Sequence, residues 1–129
     1  MNKTDPRLYI LMRTDMESMN AGKAMAQAAH AANAFVDKAR GSAVDISDWT
    51  RQTKQAFGTT ITLAVPSEDE MTKTVLIADA MGYLADVIHD PTYPVRDGYV
   101  THLLPINTCA YVFSPNGSPW FLSSLSLHT

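Results

Sequence analysis

A chain of 129 residues with a single cysteine, Cys109, has no partner thiol for an internal disulfide. Its fold must be held by a packed core, and its thiol usage suits a reducing, cytoplasmic compartment. Long apolar runs are missing too. No stretch approaches the ~18 residues of a membrane span. The opening MNKTDPRLYILMRTD has only a short apolar patch among charges, unlike a secretory signal. We therefore expect no membrane partner. Nor is there an excess of basic residues: ten Lys and Arg against thirteen Asp and Glu give a net charge of −3, which excludes nucleic-acid binding through bulk positive charge.

What is present describes an ordinary globular protein. Apolar residues make up 46% and charged residues 18%, and the length suits one domain over residues 1–129 with a real core. The charge is unevenly spread. Residues 1–58 carry a balance of +2 and residues 59–129 a balance of −5, so an anion-binding surface belongs on the N-terminal half.

The chain alternates strand and helix signals. LYILMR (8–13) reads as a strand buried on both faces. Asn20 then caps a helix from Ala21 to Ala39, closed by Gly41-Ser42. DISDWTRQTKQAF (45–57) reads as a short helix with Trp49 inward, and TTITLAV as a strand. In PSEDEMTKTVLIADAMG, Ser67 and Glu70 have capping-box spacing and Gly82 marks the stop. YLADVIH (83–89) reads as a strand, DPTYPVRDG (90–98) as a loop stiffened by two prolines, and YVTHLL (99–104) and TCAYVF (108–113) as the last strands. This order predicts an α/β fold around a mixed sheet of four or five strands.

On a helical wheel of about 100° per residue, Lys23, Gln27, His30 and Ala34 share one stripe, while Met25, Ala28, Ala29, Ala32 and Val36 lie opposite as the expected packing face. The plain reading of the polar stripe is a solvated surface. The first turn says more. Its free amides, the slim Gly22 and the charge of Lys23 together suit an anion, and a lysine there opposes the helix dipole unless something offsets it. A P-loop is excluded, because Glu17 and Ala24 stand where that motif needs glycine and a hydroxyl. Asp90, leaving the third strand, could share a crevice with Asp15 and Lys23, or could simply form the turn before Pro91. His89 and His102 lack a dense metal-ligand pattern, so no metal is expected. No GxSxG elbow supports a nucleophilic serine.

The order of these residues resembles the type-II peptidyl-tRNA hydrolase family. MRTDM followed by GKAMAQAAHAA is similar to that family's strand ending in Arg-Thr/Ala-Asp and its Gly-Lys-x-Ala-Ala-Gln-x-x-His-Ala helix. PSEDEM, MGYLADVIHD and GYVTHL resemble later family segments, so the likeness spans about residues 8–105. It implies a mixed four-stranded sheet with helices on both faces, often a homodimer, that cleaves the ester between a peptide and the 3′ end of tRNA without metal or cofactor. By position it carries the catalytic set onto Lys23, Asp90 and Thr101. Substrate contacts fall on Arg13, Asp15, Asn20, Gly22, Gln27 and Thr92, with His30 supporting the helix stripe. Lys23 then suits an oxyanion or a phosphate, and Asp90 a water or Lys23 itself.

The sequence also departs from the family. DPTYP replaces the usual Asp-Ala-Gly-x-Thr, leaving Thr92 and Tyr93 as alternatives for its threonine. Thr59 and Thr60 stand where a lysine is common, and PINTCAYVFSPNGSPW does not resemble the family's closing segment. The competing readings are a non-catalytic anion- or tRNA-binding protein on the same fold, and a hydrolase of another small ester or amide.

Overall fold

The computed structural model describes residues 4–129. Strand β1 (Arg7–Arg13) is followed by helix α1 (Ala21–Arg40) and the one-turn helix α2 (Ser47–Thr50). Strand β2 (Thr60–Val65), helix α3 (Glu68–Ala80) and the long strands β3 (Leu84–Asp97) and β4 (Val100–Ser114) complete the main elements. The sheet order is β2-β1-β4-β3. β1 runs parallel to β2 and antiparallel to β4, and β3 and β4 form an antiparallel hairpin, so the sheet is mixed and four-stranded. Among the described residues no helix is long and apolar enough to cross a membrane.

β1 is central, which is why its apolar run shows no alternation. Leu8, Ile10 and Met12 pack under α1, while Tyr9 and Leu11 pack on the other face with α3. Phe35 anchors the α1 side, stacked on Phe113 with ring centroids 5.0 Å apart and edge-on to Trp49 at 5.3 Å. Trp49 is buried as expected and donates its indole N–H to the Thr59 carbonyl at 2.9 Å. Gly58 lies so close to Trp49 that a Cβ there would overlap its ring and carbonyl oxygen. The helix around Trp49 is much shorter than the reading of residues 45–57: past Thr50 the chain breaks into turns.

The packing face of α1 differs from the expected one. Ala24, Gln27, Ala31, Phe35 and Ala39 are buried, whereas Met25 is 71% exposed. The true face lies between the polar stripe and the Met25/Val36 face, centred on Phe35. Its small alanines bring the helix close to the sheet, so Gln27 is drawn into the core edge instead of facing solvent.

The second difference is residues 90–98, read as a loop and found within β3. Two prolines are tolerated because β3 is an edge strand, where a missing N–H need not cost a ladder bond. The two predicted final strands are likewise one, β4. Beyond the end of β1 the pair continues as a two-stranded arm, closed by a two-residue turn whose first residue, Gly98, has φ +60°. Tyr99, Val100, Leu103 and Leu104 stand exposed on this arm.

The C-terminal segment closes the opposite edge. Leu127 bridges Leu63 antiparallel, with Ala64 donating to Ser126 at 2.8 Å and His128 to Thr62 at 2.9 Å. Phe121 and Leu122 are buried in the α3-side core. The segment thus covers the free edge of β2.

Candidate functional site

The site grows from the first turn of α1. Asn20 caps the helix, its Oδ1 accepting the Lys23 backbone N–H at 2.9 Å. The helix phase then turns the half-buried Lys23 side chain toward the base of the arm. Its Nζ donates to the Pro94 carbonyl at 2.8 Å and lies 5.4 Å from the centre of the Tyr93 ring. Tyr93 is fully buried, with its hydroxyl 3.2 Å from that of Ser18 and 3.7 Å from the Met19 sulfur. One tyrosine therefore ties the β1–α1 loop, the lysine and the arm together. An ammonium has three donors, so Lys23 keeps N–H capacity for an oxyanion.

One turn along, Gln27 is only 3% exposed and bridges two strands. Its Nε2 donates to Asp90 Oδ2 at 2.8 Å, and its Oε1 accepts from the Thr108 hydroxyl at 2.6 Å. The other Asp90 oxygen accepts from the Thr92 backbone N–H at 2.9 Å and lies 3.4 Å from the Thr92 hydroxyl. Burial alone would raise the Asp90 pKa. The Gln27 and Thr92 hydrogen bonds, with the charge of nearby His30, outweigh it and hold the group below the ordinary carboxylate range. Asp90 is an anion at neutral pH, opening onto a cleft of about 510 Å³ that His30, Ala34, Asp86 and His89 also line.

Two register breaks make this possible. Ile88 pairs with Cys109 but His89 with Asn107, so Thr108 is an extra residue on β4. Asp90 pairs with Ile106 but Tyr93 with Leu104, so β3 carries one extra residue between them. Residues three apart on a regular strand face opposite sides. The bulge brings Asp90 and Tyr93 both to the α1 side, and the bulge at Thr108 turns it toward α1 beside Cys109. The Cys109 thiol, desolvated by burial, is pushed up to about 12 and is inert at neutral pH.

The other expected residues separate into groups. Thr101 does not join the site: it is exposed on the arm opposite Arg96, and Thr108 holds the position beside Gln27. The motif spacing misplaced it because Gly98-Tyr99-Val100-Thr101 supplies a second, decoy threonine seven residues early. Arg13 and Asp15 hold each other through paired contacts of 2.9 Å. Arg13 also donates to the Asn107 carbonyl at 2.9 Å and lies 3.7 Å from Glu68, with its side chain only 12% exposed. This guanidinium is committed to the protein. Gly22 is exposed, and a Cβ there would meet only ordinary contact with Asn20. His30 is exposed and lines the same cleft as Asp90. Lys23 and Asp90 form no ion pair within 4.0 Å: the lysine holds the Pro94 carbonyl and Gln27, one turn further along α1, holds Asp90. Among the described residues no three His, Cys, Asp or Glu side chains gather as for a metal, with His89 bonded to Asn107 and His102 out on the arm.

Sequence reasoning missed Thr108 and the part played by Tyr93. A threonine opening an otherwise apolar strand, and an aromatic between two prolines, are the only signals either left.

The arrangement sets a preorganised anion and a preorganised cation on one side of a helix terminus, each fixed by its own partners. Among known proteins, the sequence model of the family described as peptidyl-tRNA hydrolase PTH2 matches residues 7–107. No curated protein matches the chain.

Proposed function

Since the chain belongs to the type-II peptidyl-tRNA hydrolase family, we propose that it hydrolyses the ester joining a peptide to the 3′ end of tRNA, releasing free tRNA and peptide. The observation that carries this reading is the placing of Lys23 and Asp90 on the same side of β3, each held by neutral partners and neither neutralised by the other. Had they formed a salt bridge, both charges would be spent.

Asp90 accepts a hydrogen bond from the attacking water and aims it at the acyl carbon. As the hydroxyl adds, the carbonyl oxygen gains negative charge, which the free N–H groups of Lys23 stabilise. Collapse breaks the bond to the ribose oxygen. The proton drawn from water toward Asp90 passes to that oxygen, so the ester gains one water in sum. Thr92 and Gln27 fix the carboxylate, and Thr108 fixes Gln27. Because a fixed ammonium supplies the positive charge, this route uses no metal and no cofactor. Cytoplasmic action and a homodimer belong to the same reading.

The test is release of tRNA from N-blocked aminoacyl-tRNA by the wild type and by Asp90→Asn. The reading expects multiple turnover for the former and a loss of about 10²-fold or more for the latter. Tight tRNA binding with no turnover would instead make this a binding protein on the same fold.

A further inference from the structure

Lys23 is held without a counter-charge. Among the described residues no carboxylate lies within 4.0 Å of its ammonium. Its neighbours are the Pro94 carbonyl, 2.8 Å from Nζ, and the face of the Tyr93 ring, whose centre lies 5.4 Å away. A lysine stem turns about several bonds, so one hydrogen bond to a carbonyl fixes the ammonium's distance better than its direction. The ring supplies a second restraint, because its electron-rich face draws a cation over it. The ring is itself locked. Tyr93 has no exposed surface, and the extra residue in β3 turns it to the α1 side. Its hydroxyl donates to the Met19 sulfur at 3.7 Å and lies 3.2 Å from the Ser18 hydroxyl. With the phenol proton on the sulfur, Ser18 is the donor in the second bond. The phenol is thus spent on the β1–α1 loop and has no proton to give a substrate.

We propose that Tyr93 is the positioning residue for Lys23: its ring face sets the direction of the ammonium and leaves the charge whole for the developing oxyanion. The kinetic consequence rests on the hydrolase reading; the seat itself rests on the contacts alone. A carboxylate in the same place would hold the lysine as firmly but would cancel its charge. An aliphatic side chain would fill the space and leave the ammonium free to swing about the Pro94 carbonyl. The hydroxyl acts one step further back, by locking the ring to Ser18 and Met19. The ring face therefore matters more than the hydroxyl. Because Tyr93 and Pro94 stand where the arm leaves the sheet, two adjacent residues of one strand define the whole seat.

Two measurements test this, one with substrate and one without. In release of tRNA from N-blocked aminoacyl-tRNA, Tyr93→Leu should lower kcat about five- to thirtyfold and change KM less than about twofold. Tyr93→Phe keeps the ring face and should stay within about threefold of the wild type. In a Lys23→Ala background, Tyr93→Leu should cost less than about twofold further, because the ring then has nothing to hold. Equal losses in both backgrounds, or a loss in Tyr93→Phe as large as in Tyr93→Leu, overturn the proposal. The second measurement reads the lysine itself by proton NMR of the free protein. Protons above an aromatic face are shifted upfield. The Lys23 ε-methylene signals, identified by their loss in Lys23→Ala, should lie upfield of those of the other lysines and keep that shift in Tyr93→Phe. Ordinary lysine shifts in the wild type overturn the proposal, even where Tyr93→Leu fails to fold. Absence of turnover by the wild type overturns the hydrolase reading, and the proton shifts still decide the seat.

Discussion

At the scale of single residues, the site depends on neutral groups more than on charged ones. Gln27 is an example: one amide satisfies a buried threonine and a carboxylate at once, so its removal leaves both without that partner. The pH dependence of hydrolysis shows this directly. Asp90 is held below the usual carboxylate range, so activity that needs its anion persists as pH falls through that range and is lost only below it. Gln27→Leu keeps the burial and deletes the largest contact that lowers the pKa. The acid limb of the pH–rate profile should therefore shift to higher pH; an unmoved limb would mean Asp90 is not the titrating group. Two threonines make a second contrast. Thr108→Val should cost about 1–2 kcal/mol in transition-state stabilisation by freeing Gln27, whereas Thr101→Val on the exposed arm should change kcat/KM less than twofold. The reverse order would restore the assignment that motif spacing suggested.

At the scale of elements, the sequence was most legible where local chemistry alone decides. Asn20 and Ser67 both cap the helices they were expected to cap, accepting the N–H three residues on. Asn20→Ala should cost about 1 kcal/mol, read as a lower denaturant midpoint with an unchanged slope. Gly58 is less forgiving, because a methyl there overlaps Trp49. Gly58→Ala should destabilise by about 1–3 kcal/mol, again measured by chemical denaturation; a neutral result would contradict the close packing.

Legibility failed where tertiary context overrode local signals. Pro91 and Pro94 made residues 90–98 look like a loop, whereas the turn is only Gly98-Tyr99. An edge position and one extra residue were enough to admit both prolines to a strand. The wheel of α1 put the apolar face opposite the polar stripe because it weighed Met25 and Val36 and passed over Phe35. In the fold one buried aromatic set the face, and Gln27 went inside with it. The Thr101 assignment failed because a threonine seven residues later sits on a bulge, and bulges are features of strand pairing that no single segment displays.

At the scale of the whole molecule, the mixed α/β sheet and the acidic balance were both legible in the residues, and the proposed tRNA substrate has to be met by a protein of net charge −3. Arg13 is already neutralised by Asp15 and Glu68, which leaves Lys23, with donors to spare beyond the Pro94 carbonyl, and Lys38 on the wall of the Asp90 cleft. Few phosphates are then neutralised on binding. Affinity for tRNA should fall with salt along a shallow log–log slope, of order −1 to −3. Filter binding across a salt series checks this, and an entirely flat response would remove nucleic acid from the account.

The most direct test of the central claim, that a lysine fixed by the arm and a carboxylate fixed by Gln27 together open the ester, is the single-turnover rate of tRNA release from N-blocked aminoacyl-tRNA by the wild type and by Lys23→Ala at saturating enzyme. Saturation removes differences in binding. The account predicts rapid release by the wild type and a rate lower by about 10²–10³-fold in the variant. Equal rates in the two proteins would contradict it.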